Sequence, residues 1–170
     1  MKTQAKTIAL SIKDTNTYLW AAAFVAANVI LPQVCHAFGM SGQVFIPIMF
    51  FTLFATIRFG LVCGLLTAVF SPVVSHLIGG MPTLAMLPVI VLKSAALATV
   101  MGLVIQKTGR INFVGIVAAV VAYQVAGFVL QGILSSDFVA AWSAVAVSWP
   151  GMAIQVAAGT LIAYLVYRRA

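Results

Sequence analysis

Long stretches of this chain contain no charged side chain, and this pattern restricts its fold more than any other feature. No Asp, Glu, Lys or Arg occurs between Asp14 and Arg58, and Lys93 stands alone between Arg58 and Lys107. Only 6% of the 170 residues are charged, whereas a soluble domain has about a quarter of its residues charged. The mean hydropathy is +1.17. The sequence therefore predicts an integral membrane protein.

Breaks marked by Pro, Gly and charge divide the apolar sequence into six predicted spans. A helix needs about 20 apolar residues to cross a hydrocarbon core of about 30 Å, and shorter helices occur inside bundles. Residues 1–17 are expected to form a cytoplasmic segment and residues 18–170 a single, all-α, six-helix membrane domain. The last span is expected to follow a re-entrant or interfacial part near Trp142–Trp149. The predicted spans are Tyr18–Leu31, Gln43–Ile57, Phe59–Ile78, Thr83–Gln106, Ile111–Leu134 and Pro150–Tyr167.

The basic residues support an even number of crossings. With six spans, every Lys and Arg except Lys93 lies at one end of the bundle, and the other end carries only His36, His76 and Asp137. Because positive residues favour the cytoplasmic side, both termini are expected in the cytoplasm, in a multi-pass protein of the inner (cytoplasmic) membrane. The net charge of +7 is spread over span ends rather than gathered in one stripe, so no nucleic-acid partner is predicted.

Catalytic motifs are absent from the sequence. Neither GxxxxGK[ST] nor GxSxG occurs, so this chain is not expected to hydrolyse nucleotides. The only acids, Asp14 and Asp137, lie outside the spans, which excludes paired-carboxylate catalysis and a membrane-embedded acid for proton coupling. His36 and His76 lack carboxylate partners, so no metal is predicted, and no cofactor. The chain is predicted not to be an enzyme, and energy for active transport would come from another subunit.

Lys93 is the strongest indication of a binding site. It lies about nine residues into the fourth predicted span, roughly 14 Å deep at 1.5 Å per residue. An ammonium there costs about 2.5–3.5 kcal/mol even on lenient insertion scales, so such groups usually face a cavity or a partner. Snorkelling is the alternative, but the ammonium would have to climb most of a half-bilayer.

Other polar side chains fall at a similar depth in neighbouring spans, which predicts one pocket open to the outside. Simpler roles stay open for several of them, because Gln and Tyr also join helices and Trp149 is also typical of a membrane interface. The predicted substrate-binding residues are Lys93, His36, Gln43, His76, Tyr123, Gln124, Trp149 and Gln155.

The segment His36–Ile48 (HAFGMSGQVFIPI) resembles the signature of substrate-binding (S) components of energy-coupling factor (ECF) vitamin transporters. One branch of that family reads HxFxxGGQxFLPMH in this region. The resemblance extends from Leu31 to Val156, and Pro150–Gln155 is similar to the family's PGIxLQ. Further matches follow in family order at Phe59–Leu66, Ser71–Ser75, Gly80–Pro82 and Met86–Pro88.

The resemblance implies a six-helix protein that captures a vitamin-like molecule and delivers it to a membrane coupling subunit carrying two ATPases. In the family, small residues of the first helix form part of the docking face for the coupling subunit. Two pairs here fit A-x-x-x-A, although ordinary helix packing explains them equally well. The pairs are Ala22/Ala26 and Ala23/Ala27.

Two residues depart from the family pattern. Met49 stands where the branch usually has His, and Lys93 stands where an acid is common. The substrates of that branch are therefore not carried over. Lys93 is expected either to pair with an anionic ligand or to be held partly neutral by burial.

Two functions remain as alternatives. The first is a high-affinity substrate-capture subunit of an ATP-driven ECF-type importer, with a vitamin-like substrate that is anionic if it pairs with Lys93. The second is a small membrane scaffold or assembly subunit that binds no small molecule. A membrane enzyme is disfavoured by the scarcity of acids.

Overall fold

The structure, a computed structural model, describes residues 10–39, 44 and 47–168, and the side chains of all of these except His36, Pro47 and residues 166–168. These residues form α-helices and one short 3-10 turn, Pro47–Met49, and contain no strand. The helices are α1 Thr15–Ala37, α2 Phe50–Phe59, α3 Leu61–Gly79, α4 Leu87–Thr108, α5 Phe113–Ser135, α6 Phe138–Val147 and α7 Trp149–Arg168.

Four of these helices are long and apolar enough to cross a membrane, namely α1, α3, α4 and α5. The pair α6 and α7 passes the same test as one span that is bent by 49° at its break. The predicted all-α membrane protein is therefore confirmed, with four or five such spans among the described residues. The re-entrant or interfacial part expected near Trp142–Trp149 lies at the end of α6 and at the break before α7.

The predicted end of the first span, at Leu31, was wrong. A loop was expected from Pro32 onward, but α1 continues through Pro32 to Ala37. A proline removes one helical hydrogen bond. Outside water, however, a helix is the way for the remaining backbone groups to stay paired. Continuing the helix therefore leaves fewer unpaired groups than breaking it would.

The short helix α2 is surrounded by other helices. It packs against α1, α3, α4 and α7, and six of its ten residues are buried. At 1.5 Å per residue it is only about 15 Å long, and residues 40–43 and 45–46, which precede it, lie outside the described part. Around it, α1 packs on α3, α3 on α4, and α4 on α5, while α6 and α7 pack on α5.

Small residues allow close approach between these helices, as is usual where no hydrophobic effect drives association. A Cβ at Gly64 of α3 would lie 3.1 Å from the Thr56 Cα, and one at Gly102 of α4 would lie 2.8 Å from Leu61 Cδ1. Aromatic rings fill the contact between α1 and α2, with Trp20 stacked on Phe59 at 4.6 Å between ring centroids.

A polar cluster joins α1, α2 and α3, and we call it the Asn28 cluster: Asn28, Thr52 and Ser71. All three residues are fully buried. The Asn28 amide nitrogen donates to Ser71 Oγ at 2.9 Å and to Thr52 Oγ1 at 3.2 Å. The amide oxygen accepts from the backbone N–H of Phe51 at 3.3 Å, in the first turn of α2. Both ends of the Asn28 amide are thus engaged within the protein.

Candidate functional site

The Lys93 side chain lies between α4 and α5. A Cβ at Gly127 would overlap its Cε and lie 2.6 Å from its Cγ, so the aliphatic stem occupies the space that a larger residue at 127 would fill. Gly127 is on the buried face of α5, and Lys93 itself is half-buried. The stem therefore packs against the inward face of the neighbouring helix.

Lys93 has no counter-charge among the described residues. The chain contains only two acids, and both are engaged elsewhere. Asp14 accepts the Ser11 N–H at 2.8 Å before α1, and Asp137 accepts the Ala140 N–H at 2.8 Å as the N-cap of α6. Burial of a lysine without an acidic partner is expensive, which marks this position as a candidate binding site.

Gln124 lies on the same face of α5 as Gly127, one helical turn away. It is only 3% exposed, and its amide nitrogen donates to Ser148 Oγ. The Ser148 hydroxyl donates in turn to the Val145 carbonyl at 2.8 Å, so it must accept from Gln124, which defines the orientation of the amide. The buried Gln124 Oε1 receives no hydrogen bond from any described residue.

Tyr123 and Gln155 lie beside each other between α5 and α7. Tyr123 is fully buried and Gln155 is 1% exposed, and the Tyr123 hydroxyl is near the Gln155 side chain but makes no hydrogen bond to any described residue. Tyr123 also belongs to the main apolar core, where it packs with residues of α2, α4 and α7.

These residues form one group around the inward face of α5. Tyr123 and Gln124 lie within one turn of Gly127, where residues three and four apart are neighbours. α4 supplies Lys93 opposite this face, and α7 and its break supply the remaining side chains. We call the group the Lys93 cluster: Lys93, Tyr123, Gln124, Ser148 and Gln155.

The cluster includes the break between α6 and α7. Ser148 separates the two helices. Its hydroxyl accepts a hydrogen bond from the Gln124 amide, which ties the break to α5. Interrupted backbone at membrane depth is tolerated where it is buried in protein or lines a cavity, and discontinuous helices form binding sites in many transporters. The break thus adds polar groups to the same region.

The other predicted binding residues are distributed differently. His76 is half-buried, and its Nδ1 lies 2.7 Å from the Pro82 carbonyl oxygen, which ties the end of α3 to the turn before α4. The Trp149 side chain is 67% exposed and lies outside the buried group. Gln43 and the side chain of His36 are outside the described part of the chain. The structure therefore brings together Lys93 and three of the residues predicted with it.

Sequence reasoning missed Gly127 and Ser148. A glycine four residues after Tyr123 marks the same helical face, and this spacing was available as a signal. Ser148 precedes Trp149-Pro150, but nothing in the sequence pairs it with a glutamine 24 residues earlier. Groups of three or more potential metal ligands do not occur among the described residues, and Cys35 and Cys63 are free thiols.

An apolar groove of about 590 Å³ runs between α1 and α3. Two of the predicted docking alanines, Ala22 and Ala26, line it, and both are exposed. Ala23 is exposed and Ala27 is half-buried, and neither lines the groove. The full lining is Tyr18, Ala21, Ala22, Val25, Ala26, Val29, Ile30, Leu66, Phe70, Val74 and Ile78.

Comparison with known proteins yields no relative: no family model, curated protein or solved structure matches this chain.

Proposed function

We propose that this chain is the substrate-capture subunit of an ATP-driven ECF-type importer, which binds a vitamin-like small molecule and passes it to a separate coupling subunit and ATPases. The observation that carries the proposal is the Lys93 cluster: a lysine of α4 without a counter-charge among the described residues lies against α5, where a buried glutamine oxygen has no donor. Unsatisfied polar groups of this kind are costly in a membrane and are retained for function. The sequence resemblance to S components supplies the transporter class.

The proposed topology has six spans with both termini in the cytoplasm. In it, α2 belongs to the second crossing, and the bent pair α6–α7 makes the last. A backbone hydrogen bond from Leu10 N–H to the Phe59 carbonyl, 3.1 Å long, holds the N-terminal segment at the Arg58 end of α2. This arrangement fits the placement of Lys13 and Arg58 on one side that the positive-inside rule requires.

The groove between α1 and α3 is the proposed docking face for the coupling subunit. Ala22 and Ala26 line it with small side chains, which let another helix approach closely. The outward-facing Ala23 and the neighbouring Ala27 extend the same helix surface in this proposal.

Purification of the intact protein in detergent provides the test. We expect a small molecule to co-purify and to be detected by mass spectrometry after extraction. A panel of vitamins should include a member that raises the melting temperature, because a molecule that binds only the folded protein stabilises it. Lys107→Met, a lysine removal at the exposed end of α4, serves as the control and should keep both properties.

The scaffold alternative predicts the opposite result. A protein without a small-molecule site would carry no co-purified compound and would melt at the same temperature with every vitamin. That outcome would reject the transporter subunit in favour of the scaffold.

A further inference from the structure

Neither of the two acidic side chains of this chain lies at Lys93. These acids are Asp14 and Asp137, and each carboxylate is engaged with a backbone N–H outside the long helices, before α1 and before α6. Reaching Lys93 would break both a hydrogen bond and the local chain geometry. A charged Lys93 would therefore take its anion from another molecule.

The Lys93 stem lies along the inward face of α5. Its Cγ, Cδ and Cε all lie in the space left by the absent side chain of Gly127, on the face of α5 that is buried. Gly127 is thus a positioning residue, because it allows the lysine to lie along the inward face.

Gln124 places a second requirement on a bound molecule. Its Oε1 is buried without a donor among the described residues, while its nitrogen is held by Ser148. The oxygen can accept from an N–H or O–H group, but the fixed nitrogen prevents the amide from turning to donate there. A hydrogen bond from Lys93 would satisfy the oxygen and still leave the positive charge without a counter-ion.

We infer that the ligand is a carboxylate that also carries an N–H or O–H donor. The carboxylate pairs with Lys93, whose stem lies against Gly127, and the donor reaches Gln124 Oε1, one turn from Gly127 on α5. Cations are excluded from the site by Lys93. This inference rests on the proposed function and specifies the substrate class of the same site.

Matched pairs of vitamins and their uncharged derivatives test the charge requirement. The probes are pantothenate with panthenol and biotin with biotinamide, together with the cation thiamin. Binding to the intact protein in detergent is measured by thermal shift and by calorimetry. We expect one carboxylate to bind at least about 10-fold more tightly than its uncharged partner, since hydrogen bonds to charged groups are the stronger ones.

Three variants assign this preference to residues. In Lys93→Met the carboxylate should bind about 10- to 100-fold more weakly and no better than its uncharged partner. In Gly127→Ala the preference should also collapse, because the stem is displaced, although the charge is still present. In Gln124→Leu the affinity should fall while the preference for the carboxylate remains. Lys107→Met should match the unmodified protein throughout.

The outcomes separate the two proposals. If an uncharged vitamin or thiamin binds as tightly as any carboxylate, or if Lys93→Met keeps the preference, the substrate class is wrong while the capture function stands. If no probe binds and no compound co-purifies, the capture function fails and the substrate class fails with it.

Discussion

The Asn28 cluster and the Lys93 cluster are both buried among the helices of one bundle, but they differ in how their polar atoms are used. Asn28 donates to two hydroxyl groups and accepts a backbone N–H, so both ends of its amide are engaged within the protein. In the Lys93 cluster the Gln124 oxygen lacks a donor and the lysine lacks an anion among the described residues.

This difference separates a structural role from a binding role. A polar group whose partners are all internal joins helices and leaves nothing for a ligand. A buried acceptor left without a donor lowers the free energy of unfolding by about 1–3 kcal/mol. A protein that keeps such a group is therefore less stable than it would be without it. Polar residue type alone does not distinguish these cases, because both clusters contain an amide with serine partners.

The largest effect is expected from Asn28→Leu. The substitution leaves the Phe51 N–H and the Ser71 and Thr52 hydroxyls without their partner, so we expect the free energy of unfolding to fall by about 2–3 kcal/mol. Unfolding of the intact protein by SDS titration in mixed micelles measures the change. An equal loss from Gln124→Leu would remove the distinction between the clusters.

Gly127→Ala should have the next largest effect. Alanine is favoured over glycine in a helix by about 1 kcal/mol, but the new Cβ overlaps the Lys93 stem, and overpacking costs about 1–3 kcal/mol. We expect a net loss of about 1 kcal/mol in the unmodified protein and a gain of up to about 1 kcal/mol in a Lys93→Ala background. A double-mutant cycle that gives additive changes would show that the two residues do not interact.

Gln124→Leu should change stability only slightly. It removes the bond to Ser148, worth about 0.6 kcal/mol on average between membrane helices, but it also removes the unsatisfied oxygen. Ser148 keeps its bond to the Val145 carbonyl. Because these two contributions oppose each other, we expect no loss of stability in the same SDS titration, against a clear loss of vitamin binding. A large destabilisation would assign Gln124 to structure.

The smallest effect is expected from Trp149→Phe. The side chain is mostly exposed, and surface substitutions usually change stability by less than about 0.5 kcal/mol. We expect a vitamin affinity within twofold of the unmodified protein by calorimetry. A tenfold loss would extend the binding site from the buried cluster to the outer surface, in line with the sequence-based prediction for Trp149.

Local chemistry allowed much of the fold to be predicted. Gly60, Gly80 and Gly109 follow α2, α3 and α4 at positive φ, where glycine is the usual residue, and the predicted breaks lie near these positions. Pro32 misled the prediction because a proline within an apolar helix is tolerated when the alternative is unpaired backbone. The fourth span was predicted to begin at Thr83, but α4 begins at Leu87, because a turn at Thr83–Met86 precedes it.

The candidate site was predictable only in part. Lys93, Tyr123, Gln124 and Gln155 stand out as polar residues in apolar segments, and their depth suggested a common pocket. His76 stands out for the same reason, yet its ring contacts a carbonyl of the adjacent turn. Helical periodicity does not say which neighbour a side chain meets, so the hydrogen-bonding partners could not be assigned.

The sequence by itself determined that this is a helical membrane protein, that two acids cannot serve a buried lysine, and where the apolar segments break. Composition and charge position are sufficient for these conclusions because the solvent requirements of a membrane act on each segment separately. Only the tertiary structure decided that Asn28 is internally paired, that Gln124 is not, and that the Lys93 stem lies against Gly127. These distinctions depend on which helix faces meet, and that is a property of packing between segments distant in the chain.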